Sequence, residues 1–265
     1  MTTRTLLLTL ALALGVTSPA AAHRPIATRG LVDVALVCEG SPCDEVASGG
    51  QRYVVAGYGD RYTIALTNRS GGWVEAVVAV DGRSVTDGRR VGTQSRGYLL
   101  APYQRVELEG WRIDTREVAA FRFTSVGDSY AGRIGSGADA GQIRVDVYNE
   151  RGRPEVWVPA PSPWTTERDD RPSRSSAEKA APSSVWRDGG QDLGTQYGES
   201  RWQPVEQRDF ERASSYPAQS VTLRYDDARG LAARGILPGH RWPERWVDDR
   251  RDDRWVPPPP VRIDD

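Results

Sequence analysis

The sequence predicts an all-β protein: an antiparallel β-sandwich of jelly-roll or immunoglobulin-like type, with a small docked C-terminal strand and helix block and a disordered linker and tail. Three observations carry this prediction. Short segments between Leu31 and Val158 alternate apolar and polar residues with a period of two, as half-buried strands do. Turn pairs such as Asp81-Gly82 and Asp87-Gly88 separate them at spacings too short for helical crossovers. The region is also long enough, at about 130 residues, to enclose a core of its own.

Taken in order, residues 1–22 read as a secretory signal. Arg4 supplies positive charge, Leu6 to Val16 form the apolar run, and Ala20-Ala21-Ala22 offers a cleavage site. That run is too short for a hydrocarbon core that needs roughly 20 residues, and no later segment is longer. The mature chain is therefore expected in the periplasm or outside the cell. In that oxidising setting Cys38 and Cys43, joined by the turn-forming Glu-Gly-Ser-Pro, are expected to form a disulfide. Arg61 to Asn68 places Tyr62, Ile64 and Leu66 on one face, and Ser70-Gly71-Gly72 turns the chain back. Val74, Ala76, Val78 and Val80 then point inward. Val106 and Leu108 alternate again, Phe121 and Phe123 flank an outward Arg122, and Ile143, Val145 and Val147 close the series at 31–158.

The stretch 159–190 changes in kind. It is rich in proline, serine and mixed charge, so it cannot offset its ordering entropy and is predicted to be a disordered linker. Order is expected again over 191–238. Leu193 to Glu199, Pro204 to Phe210 and Val221 to Tyr225 read as extended pieces, and Asp226 to Arg234 as a helical turn or two capped by Gly235. This block is too small for its own core and is expected to dock on the sandwich. The tail 239–265, with its tryptophans and Pro257 to Pro260, favours polyproline II.

Composition excludes several classes. The 265 residues carry 35 basic against 36 acidic side chains, which gives no general attraction to nucleic acid or anionic membrane. Two cysteines cannot build a zinc ribbon, and no Walker-type Gly-Lys-Ser/Thr stretch occurs.

Several phrases occur together: Val80-Asp81-Gly82, Arg96-Gly97-Tyr98-Leu99, Gly110-Trp111-Arg112, Ala120-Phe121-Arg122-Phe123, Ser129-Tyr130-Ala131 and Gly194-Thr195-Gln196-Tyr197-Gly198-Glu199. With them the chain resembles a group of exported bacterial β-rich proteins of unassigned function. The resemblance implies export and a β-rich fold. It brings no catalytic residues.

The residues that invite chemistry are few. Gly127-Asp128-Ser129 resembles the nucleophile phrase of secreted GDS-type esterases, but a serine nucleophile needs a base. The mature chain offers only His23 and His240, and the phrase reads better as a polar turn. Cleavage after Ala22 would make His23 the first residue, the arrangement that secreted copper oxygenases use, yet the one other histidine lies in the tail. The run Asp248 to Asp253 interleaves arginines and reads as a self-compensating charge run, not a calcium loop. Nine tryptophans remain, seven of them at the end of the sandwich region or beyond it, and aromatics outside a core often mark contact surfaces. The expectation is a non-enzymatic protein without cofactor or metal, binding an unknown protein or glycan of the cell envelope. Tyr98, Trp111, Arg112 and Tyr130 are the surface-site candidates. The alternative is a secreted carbohydrate-active enzyme, either a copper oxygenase through His23 or a carboxylate glycoside hydrolase.

Overall fold

The structure, a computed structural model, describes residues 30–152 and 191–237. The expected leader, the linker 159–190, His23, His240 and the tail 239–265 lie outside the described residues.

Two seven-stranded sheets pack face to face. The first holds β1 (Val32–Cys38), β2 (Ser41–Pro42), β5 (Arg61–Asn68), β9 (Arg105–Leu108), β10 (Gly110–Arg112), β11 (Glu117–Ser125) and β13 (Leu193–Trp202). Its path is β10-β11-β5-β1-β2, with β9 added on β5 and β13 on β11. The second holds β3 (Glu45–Ser48), β4 (Gln51–Val55), β6 (Val74–Val80), β7 (Arg83–Ser84), β8 (Tyr98–Leu100), β12 (Gln142–Asn149) and β14 (Gln219–Asp226). Its path is β3-β4-β14-β12-β6-β7, with β8 added on β6. The fold is thus an all-β sandwich. Every ladder is antiparallel except β4 with β14, which run parallel. No helix among the described residues is long and apolar enough to cross a membrane.

The period-two faces lie where alternation places them. Tyr62, Ile64 and Leu66 from β5, Phe121 and Phe123 from β11, and Ile143, Val145 and Val147 from β12 are all buried in one core. Tyr62 stacks on Phe123 with ring centroids 4.3 Å apart and on Phe121 at 5.2 Å. Strand β6 departs from alternation, because all seven of its residues are buried. The segment after β13 covers its outer face. Arg212 reaches Glu75 at 2.6 Å and lies 3.9 Å over the Tyr148 ring, while Arg208 sits 4.0 Å over Trp73. These cation–π contacts strap the loop to the sheet.

The C-terminal block corrects the sequence expectation. It is not a unit docked on a finished sandwich. Strand β14 lies inside the second sheet between β4 and β12, and β13 pairs with β11 over eight registered positions. A core missing these strands would deprive Val145 of its partner Val221 and Phe123 of its partner Thr195, so residues 191–237 complete the domain. The short helix α2 (Ala228–Ala233) follows β14 directly. Asp227 caps it by accepting from Gly230 N–H at 2.6 Å, and Gly235 ends it with φ +70°. Leu231 and Leu237 pack there on Tyr53 and Val55 of β4.

Beyond its short pairing with β2, the outer edge of β1 is closed by side chains at Val32 and Val34. The Gln219 amide accepts from Val32 N–H at 2.8 Å and donates to Val32 O at 2.9 Å, and Arg52 donates to Val34 O. This covers groups that would otherwise template edge pairing. Cys38 and Cys43 form the expected disulfide with Cα atoms 5.0 Å apart, clamping the β1–β2 turn. Its loop is short, so reduction is expected to cost about 2 kcal/mol. Thermal unfolding with and without reductant should show a fall of about 4–8 °C and retention of the fold.

Candidate functional site

The site grows from the hairpin that follows β6. Asp81 and Gly82 both adopt positive φ, +50° and +74°, and link Val80 to its partner Arg83 as a two-residue turn. The turn sends its two ends in opposite directions. Asp81 points into the sandwich, and Arg83 emerges at the surface.

Inside, the Asp81 carboxylate joins the two sheets. Its Oδ1 accepts from Gly141 N–H at 2.9 Å, Gln142 N–H at 3.4 Å and the Tyr225 hydroxyl at 2.7 Å, and its Oδ2 accepts from Thr195 N–H at 2.8 Å. The Thr195 hydroxyl bonds both Tyr225 and Tyr62 at 2.8 Å. Burial pushes the Asp81 carboxyl up to about 7, against the downward pull of these donors. Burial likewise raises the Tyr62 and Tyr225 phenols. Because three hydroxyls are linked in series, their protons can reverse direction when Asp81 changes charge.

Outside, Arg83 lies directly across from Arg90 in an antiparallel bridge, and Ser84 N–H donates to Arg89 O. Gly88, with φ +69°, closes this second turn. Arg90 pairs with Asp139 at 2.8 Å. Among the described residues Arg83 meets only the Ser136 hydroxyl, at 2.6 Å, and its buried Nε finds no partner there. Arg89 has no carboxylate partner among the described residues. Elsewhere arginines such as Arg52, Arg69, Arg122 and Arg212 each hold an acid. The hairpin thus gathers three arginines, two of them without an ion pair among the described residues.

The facing wall is the short helix α1 (Tyr130–Arg133). Ser129 caps it, donating to Val126 O at 2.7 Å and accepting from Gly132 N–H at 3.0 Å. Its hydroxyl is committed to that cap in a buried position, which is a structural role for the Gly-Asp-Ser phrase. Gly194 lets α1 approach β13, since a Cβ there would stand 2.5 Å from Ser129 Cβ. Helix and hairpin together flank an open groove of about 560 Å³ lined by Arg83, Asp87, Gly88, Arg89, Arg90, Tyr130 and Ile134.

The four sequence candidates divide. Tyr130 lines the groove, its ring 4.9 Å from Tyr197 and its hydroxyl 3.4 Å from Gly88 O. Tyr98 and Arg112 come together but do not line it, with Arg112 donating to the Tyr98 hydroxyl at 3.1 Å and also to Gln203 O. Trp111 corrects the expectation of a surface residue. It is buried, edge-on to Phe121 and Tyr130 at 5.7 and 5.5 Å, because β10 directs it between the sheets. Arg83, Arg89 and Arg90 were missed: Asp87-Gly88-Arg89-Arg90 reads as a turn, and arginine is too common in this chain to draw notice.

A second enclosed acid, Asp226, accepts from Leu193 and Asp227 N–H at 3.0 Å and pairs with Arg234. Burial pushes it up to about 7, with Arg234 opposing. Asp192, Asp226 and Asp227 bring carboxylate oxygens within 4.8 Å of one another, close enough for a cation. Asp226 already spends its oxygens on backbone donors and a guanidinium, so the cluster has a structural explanation. No family model matches the chain, and no curated protein or solved structure matches it either.

Proposed function

We propose that the chain is an exported, non-enzymatic binding or assembly protein of the bacterial cell envelope that engages its ligand through the groove between the β7 hairpin and α1. One observation carries this reading: Arg83 and Arg89, which have no acid partner among the described residues, stand with Arg90 in one accessible concavity, where three guanidinium groups outnumber the lining acid Asp87. The disulfide and the sequence resemblance support export. Of the three acids with raised pKa, Asp81 and Asp226 are enclosed, at 1% and 0% exposure, Asp192 is exposed beside Asp226, and none lines the groove. They serve the fold, and a carboxylate hydrolase finds no support in them.

The test is co-sedimentation of the full exported chain with cell-envelope material of the producing bacterium. Binding is expected, with at least a tenfold loss for Arg83→Gln/Arg89→Gln and no loss for Arg116→Gln, an exposed arginine in the β10–β11 turn that does not line the groove. Absence of binding to every envelope fraction would overturn the reading.

A further inference from the structure

We infer that the groove ligand is an acidic polysaccharide whose sugar rings carry carboxylates. This inference rests on the binding reading above and adds the chemical class.

The first observation is the facing pair Arg83 and Arg90. Like charges directly across a ladder repel, and only Arg90 has an acid, Asp139, to offset this. A bound anion relieves the remainder. The second is the donor inventory. Arg83 and Arg89 offer planar forks with no carboxylate among the described residues, and carboxylates match such forks bidentately. Asp87, at the rim, accepts from Arg89 N–H at 3.0 Å and so closes its own turn.

The third observation separates a glycan from an acidic peptide. A peptide added to a sheet gains affinity from main-chain bonds along a free edge. The groove has no such edge, because β7 is already paired with 89–90 on one side and β6 on the other. What it offers is side chains: guanidinium donors beside the partly buried Tyr130 ring and Ile134, which is 43% exposed. An aromatic face packs on the apolar face of a sugar ring while the arginines take its carboxylate. The groove is open to solvent and does not enclose a small ligand, which leaves room for a chain to pass across it.

The experiment measures affinity of the full exported chain for polygalacturonate, its methyl ester, and polyglutamate at low and physiological salt. The acid polymer should bind, and should weaken with salt. Esterification should weaken binding at least tenfold, as should Arg83→Gln/Arg89→Gln. Arg89→Glu, at an exposed position where the side chain holds no ion pair among the described residues, provides a variant that keeps the fold. Equal binding of ester and acid, or equal affinity for polyglutamate, would overturn the glycan class while leaving the groove as a site. Failure of every probe, with envelope co-sedimentation intact and dependent on Arg83 and Arg89, would overturn the class alone. Binding that ignores all the arginine variants would remove both readings.

Discussion

Replacing Asp81 by alanine is expected to lower the stability of the sandwich by about 4 kcal/mol, because it orphans buried donors at about 1–3 kcal/mol each. Gly141, Gln142 and Thr195 N–H and the Tyr225 hydroxyl all lose their acceptor in that variant. For a domain of this size the melting temperature should fall by about 8–16 °C. Asp81→Asn keeps one oxygen and should lose less, since only the Thr195 N–H then meets an amide donor. The same residue sets a pH dependence. Its folded value of about 7 lies above the ordinary 3.8, so between those values the folded chain holds a proton that the unfolded chain has released. Stability is therefore highest toward the acid side of this window and declines as pH rises through about 7, at up to about 1.4 kcal/mol per pH unit. Asp226 acts with the same sign. Denaturant midpoints between pH 5 and 8 should show this decline in the parent chain and a shallower one in Asp81→Asn.

Arg52→Met is expected to cost about 3–5 kcal/mol, because it leaves a charged partner buried and unpaired. Arg52 Nη2 and Glu45 Oε2 are 2.7 Å apart, and the two side chains are 8% and 1% exposed. The pair joins β4 to β3 and also caps Val34 O on the facing sheet. Replacing both members, as Glu45→Leu/Arg52→Met, should recover most of the loss, since two apolar groups leave no buried charge. Recovery should stop about 1 kcal/mol short, the contribution of the lost bond to Val34 O. Chemical denaturation of the two variants distinguishes the outcomes. If the double variant is no better than the single one, the loss comes from packing and not from charge.

Strand alternation made the inward faces of β5, β11 and β12 legible, because a period of two is a local property of the chain. The burial of both faces of β6 was not legible. Its outer cover is Arg208 and Arg212, more than a hundred residues away in sequence. Val221, Leu223 and Tyr225 alternate visibly, yet nothing in the alternation states that β14 inserts beside β4 and β12. Register between distant strands is settled by the partner, not by the strand itself. Asp81-Gly82 was readable as a turn. That its carboxylate would bind donors from β12, β13 and β14 depends on their assembly. Trp111 shows the same limit from the other side, since an aromatic marks a large contact without saying whether that contact is inside. The groove was hidden for a further reason. Arginines are spread through the chain, and what distinguishes Arg83, Arg89 and Arg90 is their meeting in one groove, a property of the folded surface alone.

Arginine-selective labelling, read by mass spectrometry on the full exported chain with and without bound envelope material, tests the groove most directly. Arg83, Arg89 and Arg90 should lose reactivity when the envelope material is bound, while the exposed Arg116 keeps its own. Unchanged reactivity at Arg83 and Arg89 in a chain that has bound would place the ligand elsewhere and contradict the groove as the binding site.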